Sequence, residues 1–416
     1  MKGYLSTLQP NARICLSFFP LWAIPYTFYL FYLSLYLKES GVTDIQIGNI
    51  MVAANAAALV SSVIAAPVVD RLGRKWATLL FDLVSSALPA LLFLLWPRYA
   101  VALLAMALTG LNRIMSIGYY LLMIEDAPEE NSVVAMNLFN IIQVAAGLLT
   151  PLAGILILHR GIIDGERIFL LIAAISMTGQ AIARHTLLKE TPTGHSIQQR
   201  MRGQRLLARP SRYLLVYRTL CSSLEGNRAT QSAMAINALI YVYFSLGTTA
   251  SLLFTPFFID FSRLSPSQVS VVGGVYSLGT LTAMVVVNPH LKRANLHAFA
   301  IAAALLSLLG FALLLLLPAG QLLFPLISVS LISLSYGVLK TCADALLAVE
   351  SSGEARSAIY AASSLVSSIL GILFIKVTSM LYARHAGTLI IMCALLLSAV
   401  LTLAAAAHGG RNHGTL

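Results

Sequence analysis

The chain has 416 residues, of which 58% are hydrophobic and 10% are charged, and its mean hydropathy is +0.83. Soluble domains carry about 25% charged residues, so this composition excludes an ordinary soluble protein. The net charge of +11 could serve nucleic-acid binding, but most basic residues lie in the segments between apolar stretches, and we expect no nucleic-acid partner.

Apolar stretches of the length that crosses a bilayer, about 20 residues, recur along the whole chain. Because lipid offers no partner to free backbone N–H and C=O groups, we expect each stretch to be a helix. The twelve predicted spans are residues 13–37, 46–69, 76–96, 99–123, 132–157, 166–188, 233–259, 268–290, 295–317, 321–348, 356–382 and 386–407. The sequence therefore predicts an all-α membrane protein with two pseudo-symmetric bundles of six helices.

A long polar segment separates the sixth span from the seventh. We expect an N-terminal bundle at 1–192, a cytoplasmic linker at 193–231 and a C-terminal bundle at 232–416. With the N-terminus inside, most lysines and arginines fall on the cytoplasmic side, and Arg184 is counted among them. We therefore expect both termini in the cytoplasm of a multi-pass protein of a cell membrane, with a bacterial plasma membrane as the first candidate.

The loop after the second span carries the most specific motif, since residues 66–75 have the sequence APVVDRLGRK. This loop resembles the G-x-x-x-D-R-x-G-R-[KR] signature of the major facilitator superfamily, with alanine in place of the first glycine. The resemblance implies the fold of that family, with twelve helices in two halves. It also implies a cytoplasmic gate, in which Asp70, Arg71 and Arg74 pair with helix ends and carboxylates when the inner mouth is shut.

The third and fourth spans each contain a charged residue. Asp82 is expected to form a local pair, and it is also a candidate proton carrier. Arg113 lies in the middle of the fourth span, where a charge costs roughly 2.5–3.5 kcal/mol on insertion scales and by default marks a pathway or a binding site. Ser116 and Tyr120 share its helix face. Residues 113–118 also resemble the fourth-span motif of proton-linked members of the family.

The fifth span combines amide side chains with a second partial motif. Asn140 and Gln143 lie on one side of the predicted helix and are candidate hydrogen-bond partners of a solute. The following sequence, AGLLTPLAG at 146–154, resembles the antiporter motif G-x-x-x-G-P-x-x-G-G of the same family. It keeps Pro151 and Gly154, and this resemblance implies export.

The two halves of the chain repeat each other. Pro67 follows Gln46 by 21 residues, and Pro289 follows Gln268 by the same interval. In both halves a basic loop comes next, and a second acidic match follows in the same order. Parallel repeats of six spans are a transporter architecture in which the solute site lies at mid-membrane between the halves.

The family resemblance implies that spans one, four, seven and ten line this pathway. Each of them has a polar or aromatic stripe at helical spacing. Besides the fourth-span residues, the candidates are Tyr29 and Tyr32 in the first span, Asn237 and Tyr241 in the seventh, and Tyr336, Lys340 and Asp344 in the tenth. Lys340 and Asp344 lie one turn apart and can neutralise each other, and Asp344 is the stronger of the two proton-carrier candidates.

These features predict a secondary transporter of a small organic solute that works by alternating access. The deep cations favour an anionic or amphiphilic solute, and proton coupling is one option. A multidrug-type exporter of hydrophobic compounds is an alternative, and a receptor or scaffold that has lost transport is another from a different class. Solute and lipid are the expected partners of a monomer.

Enzyme chemistry has little support in the sequence. No H-E-x-x-H motif or nucleotide-binding loop is present. The four cysteines, at 15, 221, 342 and 393, have no paired spacing. We therefore expect no metal site and no cofactor.

Overall fold

The computed structural model describes residues 8–125, 127–201, 228–316, 318–350 and 356–413. Within that part, ten helical stretches are long and apolar enough to span a membrane, judged by length and composition. One of them, Val134–Leu187, is interrupted at Gly161 (φ 76°, ψ 173°) and so holds two spans. A broken helical segment between residues 228 and 260 corresponds to the seventh predicted span. These two features account for the difference between ten continuous stretches and twelve predicted spans.

The described residues group into two units. Those of Met1–Leu149 and His159–Ala208 form unit 1, and those of Thr150–Leu158 and Arg209–Leu416 form unit 2. Most of the predicted linker, residues 202–227, lies outside the described residues.

Unit 1 contains seven helical elements in its described part, and α7 is a short helix beyond the sixth span. They are α1 (Pro10–Glu39), α2 (Asp44–Leu72), α3 (Arg74–Leu95), α4 (Tyr99–Ile124), α5 (Glu129–Ala146, with a following turn at Gly147–Leu149), α6 (residues 162–187) and α7 (Pro192–Met201). Helix α3 contains a π-helical turn at Leu83–Ala87, and α4 is interrupted at Leu111.

The elements of unit 2 in its described part are also helices, and they include the helical segment Thr150–Leu158. Its other elements are α8 (Arg228–Gly247), α9 (Phe254–Asp260), α10 (Pro266–Thr282, continued to His290), α11 (Leu296–Leu316), α12 (Leu323–Glu350), α13 (Arg356–Tyr382) and α14 (Thr388–His413). Three buried tyrosines, Tyr243, Tyr276 and Tyr336, form its aromatic centre, with the ring of Tyr336 6.1 Å from each of the other two.

The internal repeat of the sequence has a structural counterpart at the starts of α2 and α10. Gln46 accepts from the backbone N–H of Thr43 at 3.0 Å, and its own N–H donates to the Thr43 hydroxyl at 3.3 Å. Gln268 makes the same two bonds with Ser265, at 2.9 and 3.3 Å. Both helices therefore begin with a reciprocal capping box, which satisfies otherwise free N–H groups. The repeated glutamines are helix-start signals.

The core of unit 1 is unusually aromatic. Phe19 of α1 stacks on Phe139 of α5, with ring centroids 4.3 Å apart. The hydroxyl of buried Tyr119 on α4 donates to the carbonyl of Cys15 at 2.8 Å. Such a partner is expected for a polar group that is removed from water. The contacts fix the relative positions of α1, α4 and α5, which carry many of the candidate residues.

Two glycines allow α4 to approach its neighbours closely. A Cβ atom at Gly110 would lie 2.5 Å from the carbonyl oxygen of Ala54 on α2, and one at Gly118 would lie 2.7 Å from Oγ1 of Thr78 on α3. Small residues of this kind are the usual means by which membrane helices come into backbone contact. Helix α4 is therefore held against α2 and α3 on both sides of Arg113.

Candidate functional site

The predicted gate loop forms a buried ionic cluster at one end of unit 1. Arg74, whose side chain is 3% exposed, donates from Nη1 to Asp70 at 3.0 Å. It also donates to both carboxyl oxygens of Glu125, from Nε at 3.1 Å and from Nη2 at 2.8 Å. This two-point geometry suits the planar guanidinium. Arg71 is exposed, and its side chain forms no ion pair with a described residue.

Glu190, which lies just before α7, extends this cluster. Its carboxylate accepts from the backbone N–H groups of Arg74 and Lys75, at 3.1 and 3.0 Å. A carboxylate at a helix N-terminus satisfies free donors and has a favourable interaction with the helix dipole. Thr191 adds a hydroxyl hydrogen bond to Glu125 at 2.5 Å. The sequence indicated carboxylate partners for the loop but did not identify Glu125 and Glu190.

Arg113 is exposed at the surface of unit 1. It forms no hydrogen bond or ion pair within the described part of the chain, although its neighbour Asn112 accepts from Ser116 at 2.8 Å. Arg113 shares its helix face with Ser116 and Tyr120, which lie one and two turns further along α4. Its predicted place in a central pathway stays a prediction.

Asp82 has a more specific environment than the sequence indicated. Its Oδ2 accepts from Nη2 of Arg184 at 2.9 Å and from Nε2 of Gln180 at 2.7 Å. The side chains of Asp82 and Arg184 are 1% and 3% exposed, and the guanidinium lies 4.9 Å from the ring centroid of Tyr119. Asp82 is paired, but its partners come from α6 and not from nearby residues, and Arg184, which we counted among the cytoplasmic arginines, has its side chain in the interior. Gln180 and Arg184 are four residues apart on α6 and therefore share one face of the helix. This spacing was the sequence feature that could have indicated a polar site on α6.

A cavity of about 90 Å³ adjoins this pair within unit 1. Five helices contribute to its wall, and α3 and α6 supply its charged members, Asp82 and Arg184. Its lining residues are Phe19, Trp22, Asp82, Asn112, Met115, Ser116, Tyr119, Tyr120, Phe139, Gln143 and Arg184. The structure thus brings together four predicted site residues, Asp82, Ser116, Tyr120 and Gln143.

Other predicted residues of unit 1 lie elsewhere. Tyr29 and Tyr32 are packed in the interior, 2% and 0% exposed, and Tyr32 lies against Phe169 of α6. Their rings pack between α1 and α6 and do not line the cavity. Asn140 is exposed on α5 and is not part of the cavity wall.

Glu166, at the start of α6, was not among the candidate carboxylates. It is fully buried, and neither of its carboxyl oxygens has a hydrogen-bond partner among the described residues. Tyr29 and Tyr36 of α1 are its titratable neighbours. Burying an unpaired carboxylate is costly, so the neutral acid is the form that fits this environment.

Four of the predicted residues of unit 2 form one cluster. Lys340 donates to Oδ2 of Asp344 at 3.1 Å, and both side chains are 45% exposed. Asn237 donates to Oδ1 of Asp344 at 3.2 Å and accepts from Ser363 at 2.9 Å. The ammonium of Lys340 lies 5.8 Å from the ring centroid of Tyr241.

Tyr336 lies one turn from Lys340 on α12, and its ring stacks on Phe244 with centroids 5.9 Å apart. A half-exposed ion pair with amide and ring neighbours can exchange its partners with a bound solute. Four of the five residues predicted in the seventh and tenth spans therefore belong to one group of contacts, namely Asn237, Tyr241, Lys340 and Asp344.

The partial antiporter motif has a packing role within unit 2. Thr150 donates to the carbonyl of Ser270 on α10 at 3.0 Å. Gly154 faces the Ser270 side chain so closely that a Cβ could not be accommodated, and a Cβ at Gly274 of α10 would lie 2.9 Å from Cγ of Pro151. Pro151 and Gly154 thus permit a close helix contact.

Comparison with known proteins identifies the family. The sequence matches the model of the Major Facilitator Superfamily over residues 14–375. No curated protein matches the chain.

Solved transporter structures resemble the fold over almost its whole length. The nucleoside transporter NupG has a TM-score of 0.67 at 14% identity, covering 96% of this chain and 99% of its own. A bacterial metal transporter has a TM-score of 0.68 at 12% identity, with coverages of 96% and 99%. The human organic anion transporter MFSD10 has a TM-score of 0.60 at 13% identity, with coverages of 95% and 100%. At such identities the likeness concerns the fold alone. Together with the family match and the membrane-spanning helices, it leads to the conclusion that the chain is a multi-pass membrane protein of the Major Facilitator Superfamily.

Proposed function

We propose that this protein is a secondary transporter of a small organic solute with an anionic or amphiphilic group, working by alternating access. The observation that carries the proposal is the contrast between Arg113 and three other helix-borne cations. Arg74, Arg184 and Lys340 each have a carboxylate partner. Arg113 has none within the described residues, although an apolar helix holds it. A guanidinium in that position needs an anion or water, and an anionic solute supplies the former.

The geometry of unit 2 supports coupling to protons. Lys340 and Asp344 are paired but half exposed, so a solute anion can reach the ammonium. A solute that pairs with Lys340 releases Asp344, which then accepts a proton. This exchange favours movement of anion and proton in the same direction, whereas the partial fifth-span motif favours antiport, so the direction is left to experiment.

The loop from Asp70 to Lys75 is proposed to be the cytoplasmic gate. Its buried arginine joins α2, α3 and the residue that follows α4 by three ionic hydrogen bonds. A cluster of this kind has discrete paired and unpaired states, as a gate requires.

The alternatives have weaker support. An exporter of cationic hydrophobic compounds would use an acid inside the first helix, but the acid of α1 is Glu39 at its end. Among the structural neighbours, the organic anion transporter is consistent with an anionic solute. The nucleoside transporter is not evidence for one. A receptor or scaffold that has lost transport would have no use for an unpaired Arg113.

Uptake by the purified protein in liposomes tests the proposal. A panel of radiolabelled organic anions, neutral solutes and hydrophobic cations is offered with and without a pH gradient. We expect the unmodified protein to take up anions and Arg113→Ala to lose this uptake. The matched control Arg98→Ala, at an exposed turn, should keep it. Anion uptake by Arg113→Ala at the rate of the unmodified protein would contradict the proposal, as would uptake restricted to hydrophobic cations.

A further inference from the structure

The cavity of unit 1 has the walls of a ring-binding pocket. Trp22 lies nearly parallel to Phe19 and to Tyr26, with interplanar angles of 12° and 14°. The indole N–H of Trp22 donates to Ser86 at 3.0 Å, which fixes the orientation of this wall. Phe139 and Tyr120 meet edge to face at 5.4 Å on another side. Flat aromatic faces held in this way favour stacked or edge-on contact with another ring.

Asp82, a buried residue of the cavity wall, has one carboxyl oxygen that is not paired among the described residues. Oδ2 of Asp82 is used by Gln180 and Arg184, whereas Oδ1 is buried and has no hydrogen-bond donor among the described residues. Because Asp82 and Arg184 neutralise each other, the cavity needs no net charge from its occupant. It instead favours an O–H or N–H donor directed at Oδ1.

The size of the cavity limits what enters it. A cavity of about 90 Å³ exceeds the roughly 15 Å³ that one water molecule needs and is smaller than the roughly 150 Å³ protein cavity that binds benzene. It therefore takes a six-membered ring in part, with the remainder at its open side, and not a whole drug-sized molecule. Gln143, which is exposed, lies at the open side of the cavity, where the part of the solute outside the cavity would lie.

We propose that this pocket binds a single aromatic or heteroaromatic ring with an O–H or N–H donor, and that the ring belongs to the solute whose anionic group pairs with Arg113. The inference rests on the proposed function and narrows its substrate class to aromatic acids with a ring donor. Arg113 lies three residues, about 4.5 Å along the helix axis, from Ser116 in the pocket wall. One helical turn therefore separates the ring site from the site of the anion.

Trp22 provides a direct measure of occupancy. The other two tryptophans, Trp76 and Trp96, are exposed and lie outside the cavity wall. Changing both to phenylalanine leaves Trp22 as the single fluorescent tryptophan of the full-length protein. Its emission is titrated with 3-hydroxybenzoate, benzoate and cyclohexanecarboxylate, and the same additions to free N-acetyltryptophanamide correct for absorption by the ligands.

We expect saturable quenching by 3-hydroxybenzoate. Benzoate, which lacks the donor, should bind about tenfold more weakly, the usual effect of one lost hydrogen bond. Cyclohexanecarboxylate, which has the acid but no aromatic ring, should not change Trp22 emission. Phe139→Leu should weaken binding of both aromatic acids, and Asp82→Asn should reduce the difference between them. If Asp82→Asn does not fold, the comparison of ligands on the otherwise unmodified chain decides.

Equal affinity for the three acids would overturn the ring pocket, as would binding that leaves Trp22 emission unchanged. Uptake into liposomes distinguishes failure of the ring-pocket proposal from failure of the proposed transport function. Transport of aliphatic anions without any effect on Trp22 would remove the pocket and keep the transporter. Saturable quenching by 3-hydroxybenzoate without uptake of any solute would keep the pocket and remove the transporter.

Discussion

Arg74 and Glu125 are 51 residues apart in the sequence and are joined by two parallel hydrogen bonds, of 3.1 and 2.8 Å. Asp70, the third member of the cluster, is less buried than Glu125, with 33% of its side chain exposed against 11%. The guanidinium therefore depends chiefly on Glu125 for its neutralisation.

We expect Glu125→Gln to destabilise the protein more than Asp70→Asn does. Removing one partner of a buried pair costs about 3–5 kcal/mol, and the remaining Asp70 places this change near the lower end. Loss of the more exposed Asp70 should cost at most about 1 kcal/mol. Thermal unfolding of the purified protein in detergent measures both. The reverse order of stabilities would mean that Asp70 is the principal partner of Arg74.

Asp70→Asn should slow turnover more than it weakens solute binding. The reason is that the loop cluster biases the conformations of the protein, whereas the proposed solute contacts lie on other residues. Solute exchange across liposomes gives turnover, and equilibrium binding to the detergent-solubilised protein gives affinity. Asp164→Asn, at an exposed position near Gly161, is the control. Weakened binding with normal residual turnover would instead place the loop in the solute site.

Arg113→Lys should fail to restore the transport that Arg113→Ala loses. A lysine keeps the charge, but it lacks the planar fork that holds a carboxylate by two hydrogen bonds. Both variants should unfold at about the temperature of the unmodified protein, since Arg113 makes no ion pair within the described residues. Uptake rates and thermal unfolding curves are measured for both variants and for the unmodified protein. Full activity of the lysine variant would show that charge alone is sufficient.

Asp344→Asn should lose the acceleration of transport by a pH gradient. In the proposed exchange, this carboxylate takes up the proton when the solute occupies Lys340, and an amide cannot do so. Uptake is measured with and without an imposed gradient, with counterflow at uniform pH as the control for intact binding. A variant that the gradient accelerates as strongly as the unmodified protein would exclude Asp344 as the carrier. An unmodified protein indifferent to pH would remove proton coupling.

The buried carboxyl groups of Glu166 and Asp82 should respond oppositely to conversion into amides. Glu166→Gln introduces a neutral group of the same shape where no described residue pairs with the carboxylate, so stability should stay unchanged or rise. Asp82→Asn leaves Arg184 buried without its counter-ion and should cost about 3–5 kcal/mol. Thermal unfolding curves of the two variants provide the test. Equal destabilisation would mean that Glu166 has a charged partner outside the described residues.

The sequence predicted the helices, the family and the local pairs well. Repeated Gln46 and Gln268 lie at equivalent helix starts, and Lys340 and Asp344 pair because one helical turn separates them. Each of these relationships depends on residues a few positions apart. Such spacing is visible in a sequence because helix geometry fixes it.

The contacts that sequence reasoning missed join residues far apart in the chain. Arg184 lies 102 residues from Asp82, and Glu190 lies 116 residues from Arg74. Charge placement assigned Arg184 to the cytoplasmic side, because a basic residue near a helix end usually faces headgroups. Only the packing of α3 against α6 shows that its guanidinium points inward. The gate, solute and coupling roles stay predictions, since helix packing alone tests none of them.

Gly110 and Gly118 have a mechanical consequence for Arg113, which lies between them on α4. Close backbone contacts with α2 and α3 on both sides prevent the helix from rolling or sliding alone. If Arg113 captures an anion as proposed, a pull on α4 is therefore passed to α2 at Gly110 and to α3 at Gly118. Movement of the Asn112–Ile124 part of α4, which carries Arg113 and Gly118, therefore involves α3, and movement of the part before Leu111 involves α2.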